Sequence, residues 1–194
     1  MDRKSIQEQR MRGYFIQATK DLLRSEGLRY INVRNIAETA GYSYATMYNY
    51  FKDINELIFL CVQDFQIECK DFIDRKIGNI PKGKERIVAI AKAYTDYFVE
   101  YPGIFELFFI ERMNDMGKKK STSSLIYHFF DELCAEDWDA CQKDLKLKKN
   151  HTTLKGQLHS MLIGLMVLYI NRMQPQTYNE FISIRNRLLT GILT

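Results

Sequence analysis

Few side chains in this sequence are spaced for bond-making chemistry. The histidines are His128, His151 and His159, and the cysteines are Cys61, Cys69, Cys134 and Cys141. No two of them stand at the i,i+3 or i,i+4 spacing that presents two metal ligands from one helix, and no C-x-x-C pair occurs. There is no glycine-rich phosphate loop, and no nucleophile–base arrangement is evident. The expectation is a chain that is not an enzyme, holds no metal and uses no cofactor. Its cysteines are expected as buried free thiols.

Recognition chemistry is better represented. Residues 43–51 read SYATMYNYF. Projected at about 100° per residue, Met47 and Phe51 fall on one side of a helix, and Ala45, Thr46, Asn49 and Tyr50 on the other. The outer strip then carries a small residue, a hydroxyl, an amide and a phenol, and no charge. Such a strip suits the major groove of DNA, where small residues permit close approach and amides or hydroxyls read base edges. The net charge agrees. Residues 1–52 hold nine Lys/Arg against five Asp/Glu, and the remainder nineteen of each, so the whole excess of +4 lies in the first quarter. A basic head on a neutral body favours a polyanionic partner at that end.

These residues need a scaffold, and the flanking sequence describes one. Ser5-x-x-Glu8 reads as a capping box opening a first helix. Phe15, Ala18, Leu22 and Leu23 recur at helical spacing, and Gly27 is expected as the left-handed residue that ends it. Asn32 is a good N-cap for a second helix with Val33, Ile36, Ala37 and Ala40 inward; Gly41 closes it, and Ser43 caps the third. Helix, glycine-containing turn and helix in succession form the helix-turn-helix signature. A second capping box, Asp53-x-x-Glu56, opens a fourth helix reaching about Lys76. Lys52 stands just before it, where a cation and free amides could hold a phosphate.

The stretch from Phe15 to Leu57 resembles the DNA-binding domain of the tetracycline-repressor (TetR/AcrR) family. Ala18, Gly27, Asn32-Val33-Arg34, Ile36-Ala37, Ala40-Gly41, Ser43, Thr46-Met47-Tyr48, Tyr50-Phe51 and Glu56-Leu57 carry the resemblance. It implies that Arg34 contacts phosphate or a base, that Tyr44, Ala45 and Asn49 meet base edges, and that Thr46, Tyr48 and Tyr50 hold the DNA backbone. Ser43 belongs to the same DNA-binding set, and Lys52 anchors a phosphate. Two positions depart from the pattern: many members carry lysine where Tyr44 and Ile54 stand, so two cations are missing from the docking surface.

Beyond the head the patterns remain helical. Ile87, Ile90, Ala91, Tyr94 and Phe98 follow helical spacing up to the breaker Tyr101-Pro102-Gly103. A mostly buried segment is expected over 104–116, a solvated loop at GKKKSTSS, a helix over 123–143, and two more over 152–173 and 176–193, broken at Pro175. The most apolar window, 158–170, is too short to span a bilayer, and the charged start MDRKSIQEQR is no signal peptide. A cytoplasmic protein with no membrane partner is therefore expected.

Gly156, Ser160 and Gly164 form a row of small residues that would let another helix approach closely. With Leu168, Ile184 and Leu188 they are assigned to a homodimer interface, and the resemblance implies a four-helix bundle between two copies. It also implies a ligand pocket within the body, for which Tyr94, Phe98, Phe105, Phe108, Phe109, Tyr127, Phe130, Trp138, Met161 and Tyr169 are the candidate lining. The expected fold is all-α: a helix-turn-helix domain over 1–52, a connecting helix over 53–77, and a ligand-binding and dimerisation domain over 78–194. The expected function is a repressor that leaves a palindromic double-stranded operator when a small apolar or amphiphilic effector binds. The alternative is a helical interaction module that has lost sequence-specific DNA binding.

Overall fold

A computed structural model describes residues 3–110, 120–144 and 151–193. Its α-helices in chain order are α1 (Arg3–Ser25), α2 (Val33–Ala40), α3 (Tyr44–Tyr48), α4 (Ile54–Ile77), α5 (Lys84–Glu100), α6 (Pro102–Phe105), α7 (Lys120–Leu133), α8 (Ala135–Asp144), α9 (His151–Ile170) and α10 (Tyr178–Leu193). A short 3-10 turn covers Leu28–Tyr30 and a π turn covers Glu106–Ile110. No strand occurs among the described residues, so the all-α expectation holds. The chain gathers into two compact units, Met1–Ile67 with Tyr101–Ile126, and Glu68–Glu100 with Tyr127–Thr194.

In the first unit, Phe15 from α1, Ile36 from α2, Met47 from α3, Phe51 from the segment between α3 and α4, and Leu57 from α4 close over one another and exclude water. Burying side chains of this size stabilises by roughly 1.5–3 kcal/mol each. Ser5 does not cap α1. The helix already runs at Arg3, so Ser5 and Glu8 lie within it and Ser5 is not the residue before its first turn. Gly27 does end the helix region with a positive φ of 76°, but its ψ of −179° belongs to the extended backbone that glycine alone adopts readily. At the other end of this unit, Pro102 opens α6 directly after Tyr101, so the expected breaker is also a helix start. Residues 111–116 of the expected buried segment lie outside the described residues.

The second unit is built on Tyr94, Phe98, Phe130, Trp138 and Phe181, all fully buried. Two charged anchors fix its helices. Asp137, completely buried, accepts from the Gly83 amide at 2.9 Å and from Arg86 at 2.8 Å, which binds α8 to the start of α5. Arg185 of α10, also buried, donates to the Thr95 hydroxyl at 2.8 Å and the Lys92 carbonyl at 3.1 Å, and pairs with Asp96.

Three expectations about the helices change. The helix expected over 123–143 starts earlier and is interrupted at Cys134, where the Asp137 amide bonds three residues back. Of the expected loop GKKKSTSS, residues 120–124 are helical and Thr122 is buried; residues 117–119 lie outside the described residues. Finally, Thr152–Ile170 forms one continuous apolar stretch of 19 residues, long and apolar enough to cross a membrane by length and composition, against the shorter window read from the sequence. A third of it is buried within this chain.

Candidate nucleic-acid interface and ligand-binding body

The local caps expected around the reading segment are all present. Asn32 Oδ1 accepts from the Asn35 amide at 2.9 Å, Gly41 takes the left-handed conformation (φ 77°, ψ 25°), and Ser43 Oγ accepts from the Thr46 amide at 3.2 Å. The third helix is shorter than expected. Only Tyr44–Tyr48 are α-helical, and the amides of Asn49 and Tyr50 bond three residues back to Thr46 and Met47. The Phe51 amide returns to the Met47 carbonyl at 3.0 Å, and the Tyr50 carbonyl accepts from the Arg12 guanidinium. Arg12 also pairs with Glu56 at 3.3 Å and lies 4.4 Å above the Phe51 ring. One side chain from α1 thus holds the end of the reading segment and the start of α4.

This geometry changes which residues face outward. Met47 and Phe51 are buried as projected. Tyr44 is 61% exposed and Tyr48 52% exposed, and Ala45 and Asn49 are open to solvent beside them. Thr46 is half-buried, its hydroxyl 2.9 Å from Ser43 Oγ, so these two hydroxyls satisfy each other. Tyr50, projected outward, is half-buried with its ring 6.4 Å from Phe15. Arg34 is exposed in the first turn of α2.

Lys52 has an exposed side chain, but the amides around it are not all free. Its own amide donates to Glu56 Oε2 at 2.9 Å, and the Glu56 amide donates to Asp53 Oδ1 at 2.8 Å. The bond from the Lys52 amide holds the Glu56 carboxyl below its ordinary value, with Arg12 adding to it and burial opposing. The sequence reading did not single out Tyr14 and Tyr42, whose rings stack with centroids 6.0 Å apart at the surface of the same unit. Periodicity gives no signal for them, because an exposed aromatic interrupts no buried stripe.

The candidate ligand residues fall into separate groups. Tyr94, Phe98, Phe130 and Trp138 are core of the second unit, with the Tyr94 ring 4.9 Å from Phe98 and 4.8 Å from Phe130. The Tyr94 hydroxyl is buried without a hydrogen-bond partner, and burial pushes its pKa well up. Met161 is half-buried, Tyr127 is 64% exposed, and Tyr169 packs on Phe181 at 4.7 Å. Phe105, Phe108 and Phe109 belong to the first unit, where Phe109 lies 5.2 Å from Phe105 and 6.0 Å from Phe108.

A cleft of about 480 Å³ opens in the second unit among α4, α5, α7 and α8, with Ile73, Ile77, Ile90, Phe129 and Leu133 among its walls; none of the ten candidates lines it. Phe129 links it to the candidates, because its ring is 6.2 Å from Tyr94. All four cysteines are buried free thiols, and burial raises Cys69 and Cys134 well above the ordinary thiol range.

On α9, Leu154, Leu158, Leu162, Leu165 and Met166 turn inward. Gly156, Ser160 and Gly164 are exposed, and a Cβ placed on either glycine would meet nothing within 4 Å. Leu168 and Leu188 are exposed as well, and Ile184 is half-buried.

The described residues are helical and include a capped helix-turn-helix, which defines the class of fold: an all-α helix-turn-helix protein. Residues 15–61 match the model of the bacterial regulatory proteins of the tetR family, in line with the resemblance read from the sequence. Three solved structures share the fold of the whole chain. The fatty-acid regulator FadR from Bacillus subtilis, solved with stearoyl-CoA, is 14% identical with a TM-score of 0.71, over 93% of this chain and 97% of that one. A tetR-family transcription regulator from Shewanella sp. PV-4 is 15% identical with a TM-score of 0.71, over 92% and 95%. The superantigen PfiT is 11% identical with a TM-score of 0.70, over 93% and 95%. No curated protein sequence matches significantly.

Proposed function

We propose that this chain is a ligand-responsive DNA-binding transcription regulator: a repressor that binds a palindromic double-stranded operator as a homodimer and is released by a small apolar or amphiphilic effector. One observation carries the reading. The outward face of α3 is an uncharged surface of Tyr44, Ala45, Tyr48 and Asn49, held rigid by Ser43 and Arg12, on a head that bears the whole net positive charge. An exposed apolar-aromatic surface costs solvation unless a partner covers it. Ala45 and the tyrosine rings can approach thymine methyls, Asn49 can read adenine, and the phenol hydroxyls of Tyr44 and Tyr48 can reach phosphates or base edges. Arg34 and Lys52 supply cations on either side, with Ser43, Thr46 and Tyr50 shaping the segment between.

A short reading helix contacts few base pairs, so two copies about 34 Å apart are required for specificity. The open row Gly156, Ser160, Gly164, with Leu168, Ile184 and Leu188, supports pairing with a second copy. We take residues 1–52 as the DNA-reading domain, 53–77 as its connection and 78–194 as the effector and dimer domain. The effector region centres on Tyr94, Phe98, Phe130, Trp138 and Met161. Phe105, Phe108, Phe109, Tyr127 and Tyr169 remain part of the proposal as second-rank candidates. The stearoyl-CoA held by the Bacillus subtilis neighbour has the long apolar tail this class of effector would share. We assign the chain no enzymatic activity and a cytoplasmic location, with the exposed part of α9 covered by the second copy rather than by lipid.

Footprinting of the chain's own upstream DNA tests this. A protected site whose occupancy falls steeply with salt is expected. Asn49→Ala should reduce discrimination among operators more than affinity for unrelated DNA, by ~1–3 kcal/mol; equal losses on all sequences would assign Asn49 to the backbone instead. A second reading, an interaction module without operator binding, is favoured by Tyr44 and Ile54 standing where cations are expected and by the superantigen that shares this fold. Absence of any protected site at moderate salt would select it.

A further inference from the structure

We propose that the first three turns of α1 lie along the DNA phosphates beside the site read by α3. Arg3 and Arg10 are the contacting cations, and Tyr14, stacked on Tyr42, sets the direction of approach. The inference rests on the DNA-binding reading of the head and adds a second surface to it.

The helix is longer than the head requires. Its first contribution to the core is Met11, and of residues 3–10 only Ser5 is half-buried, the others being exposed. Packing within the chain does little to hold these turns as helix. Their outer face is nevertheless ordered. At about 100° per residue, Arg3, Gln7, Arg10 and Tyr14 fall within about 60° of one another, and Glu8 falls about 120° from Tyr14. Arg12 is committed to Glu56 and the Tyr50 carbonyl, whereas Arg3 and Arg10 have no carboxylate partner among the described residues. Beyond Tyr14 the same face turns acidic at Asp21, which Gln17 and Arg24 take up. The cationic strip is thus confined to Arg3–Tyr14, a length of about 16 Å.

The stacked tyrosines decide where this strip leads. Tyr14 and Tyr42 are both exposed, with ring centroids 6.0 Å apart. Tyr42 stands between Gly41, which ends α2, and Ser43, which caps α3, so the strip runs into the start of the reading segment. A duplex seated on α3 carries one phosphate charge per about 1.7 Å of its axis. The strip is about half a helical turn of that duplex in length. Two arginines on one helix face, two turns apart and free of acidic partners in the described chain, fit a partner with regularly repeated anions, because each guanidinium can fork onto phosphate oxygens.

The test is fluorescence anisotropy of the full chain with a labelled random-sequence duplex over a range of salt concentrations, which requires no operator. Arg3→Gln combined with Arg10→Gln is expected to weaken binding and to lower the slope of log affinity against log salt by roughly 2 per chain. Arg3→Lys combined with Arg10→Lys, which keeps the charge, should retain the wild-type slope. Arg75→Gln combined with Lys76→Gln removes equal charge from exposed positions at the end of α4 and should also leave the slope unchanged. An unaltered slope in the first variant, an equal fall in the α4 variant, or a fall accompanied by loss of helix content would each overturn the inference while leaving the DNA-binding reading in place. Wild-type protein that binds no duplex would overturn both.

Discussion

Arg12 shows how one side chain determines what the head can present. Its guanidinium donates to the Tyr50 carbonyl, pairs with Glu56 and covers Phe51, so it ties the segment after α3 to the start of α4. Charge is needed on the Glu56 side of this arrangement. With its carboxyl held below the ordinary glutamate value, Glu56 contributes its full stabilisation above that ordinary value, and the contribution disappears as the pH falls through the lowered folded-state value. Wild-type protein should therefore lose stability in acid through this group. Glu56→Gln is expected to cost about 0.5–1 kcal/mol at neutral pH, a modest figure because the pair is about a third exposed, and to flatten the acid dependence. Urea midpoints measured from pH 3 to 7 check it; parallel curves for the two proteins would remove Glu56 from the account.

At the level of elements, legibility followed sequence distance. Asn32, Gly41 and Ser43 act on amides within a few residues, so their roles could be read from spacing alone, and Met47 and Phe51 followed from helical period. The Arg12 clamp joins residues 38 and 44 positions apart, and no local pattern announces it. The interruption at Cys134 was invisible for a different reason: LCAE contains neither proline nor glycine, and the bend reflects what Asp137 must reach. Ser5 was misread because a capping box is also an acceptable helix interior, and nothing before it stops the helix. The ligand candidates were legible as aromatic residues but not as pocket or core, since packing decides that.

Gly103 belongs to this scale too. A Cβ there would lie 2.5 Å from the Leu23 carbonyl oxygen and 3.1 Å from that of Arg24, so α6 can meet the end of α1 only with glycine at this position. Gly103→Ala is expected to destabilise by ~1–3 kcal/mol. Thermal or urea unfolding followed by circular dichroism would show it, and an unmoved midpoint would mean that the approach is slack.

For the whole molecule the open question is what covers α9. The second half of the helix, Met161–Ile170, is almost wholly apolar, and a Cβ on Gly156 or Gly164 would meet nothing within 4 Å among the described residues. In the proposed dimer those residues let a partner helix approach closely, and dispersion contacts accumulate along the row. Gly164→Leu is a suitable test, because Gly164 is exposed and a Cβ there meets nothing within 4 Å among the described residues of a single copy. Sedimentation should show a shift toward monomer with helix content unchanged. A dimer as tight as wild type would place the interface elsewhere.

Trp138 carries a practical consequence. It is the only tryptophan in the chain, it is buried in the second unit, and the ammonium of Lys155 lies 5.8 Å from its ring. Selective excitation of the indole therefore illuminates the second unit and leaves residues 1–67 dark. Any change in its emission when an oligonucleotide is added must originate in the domain that the oligonucleotide is not expected to touch, so the native sequence already contains the optical label that an engineered reporter would otherwise have to supply.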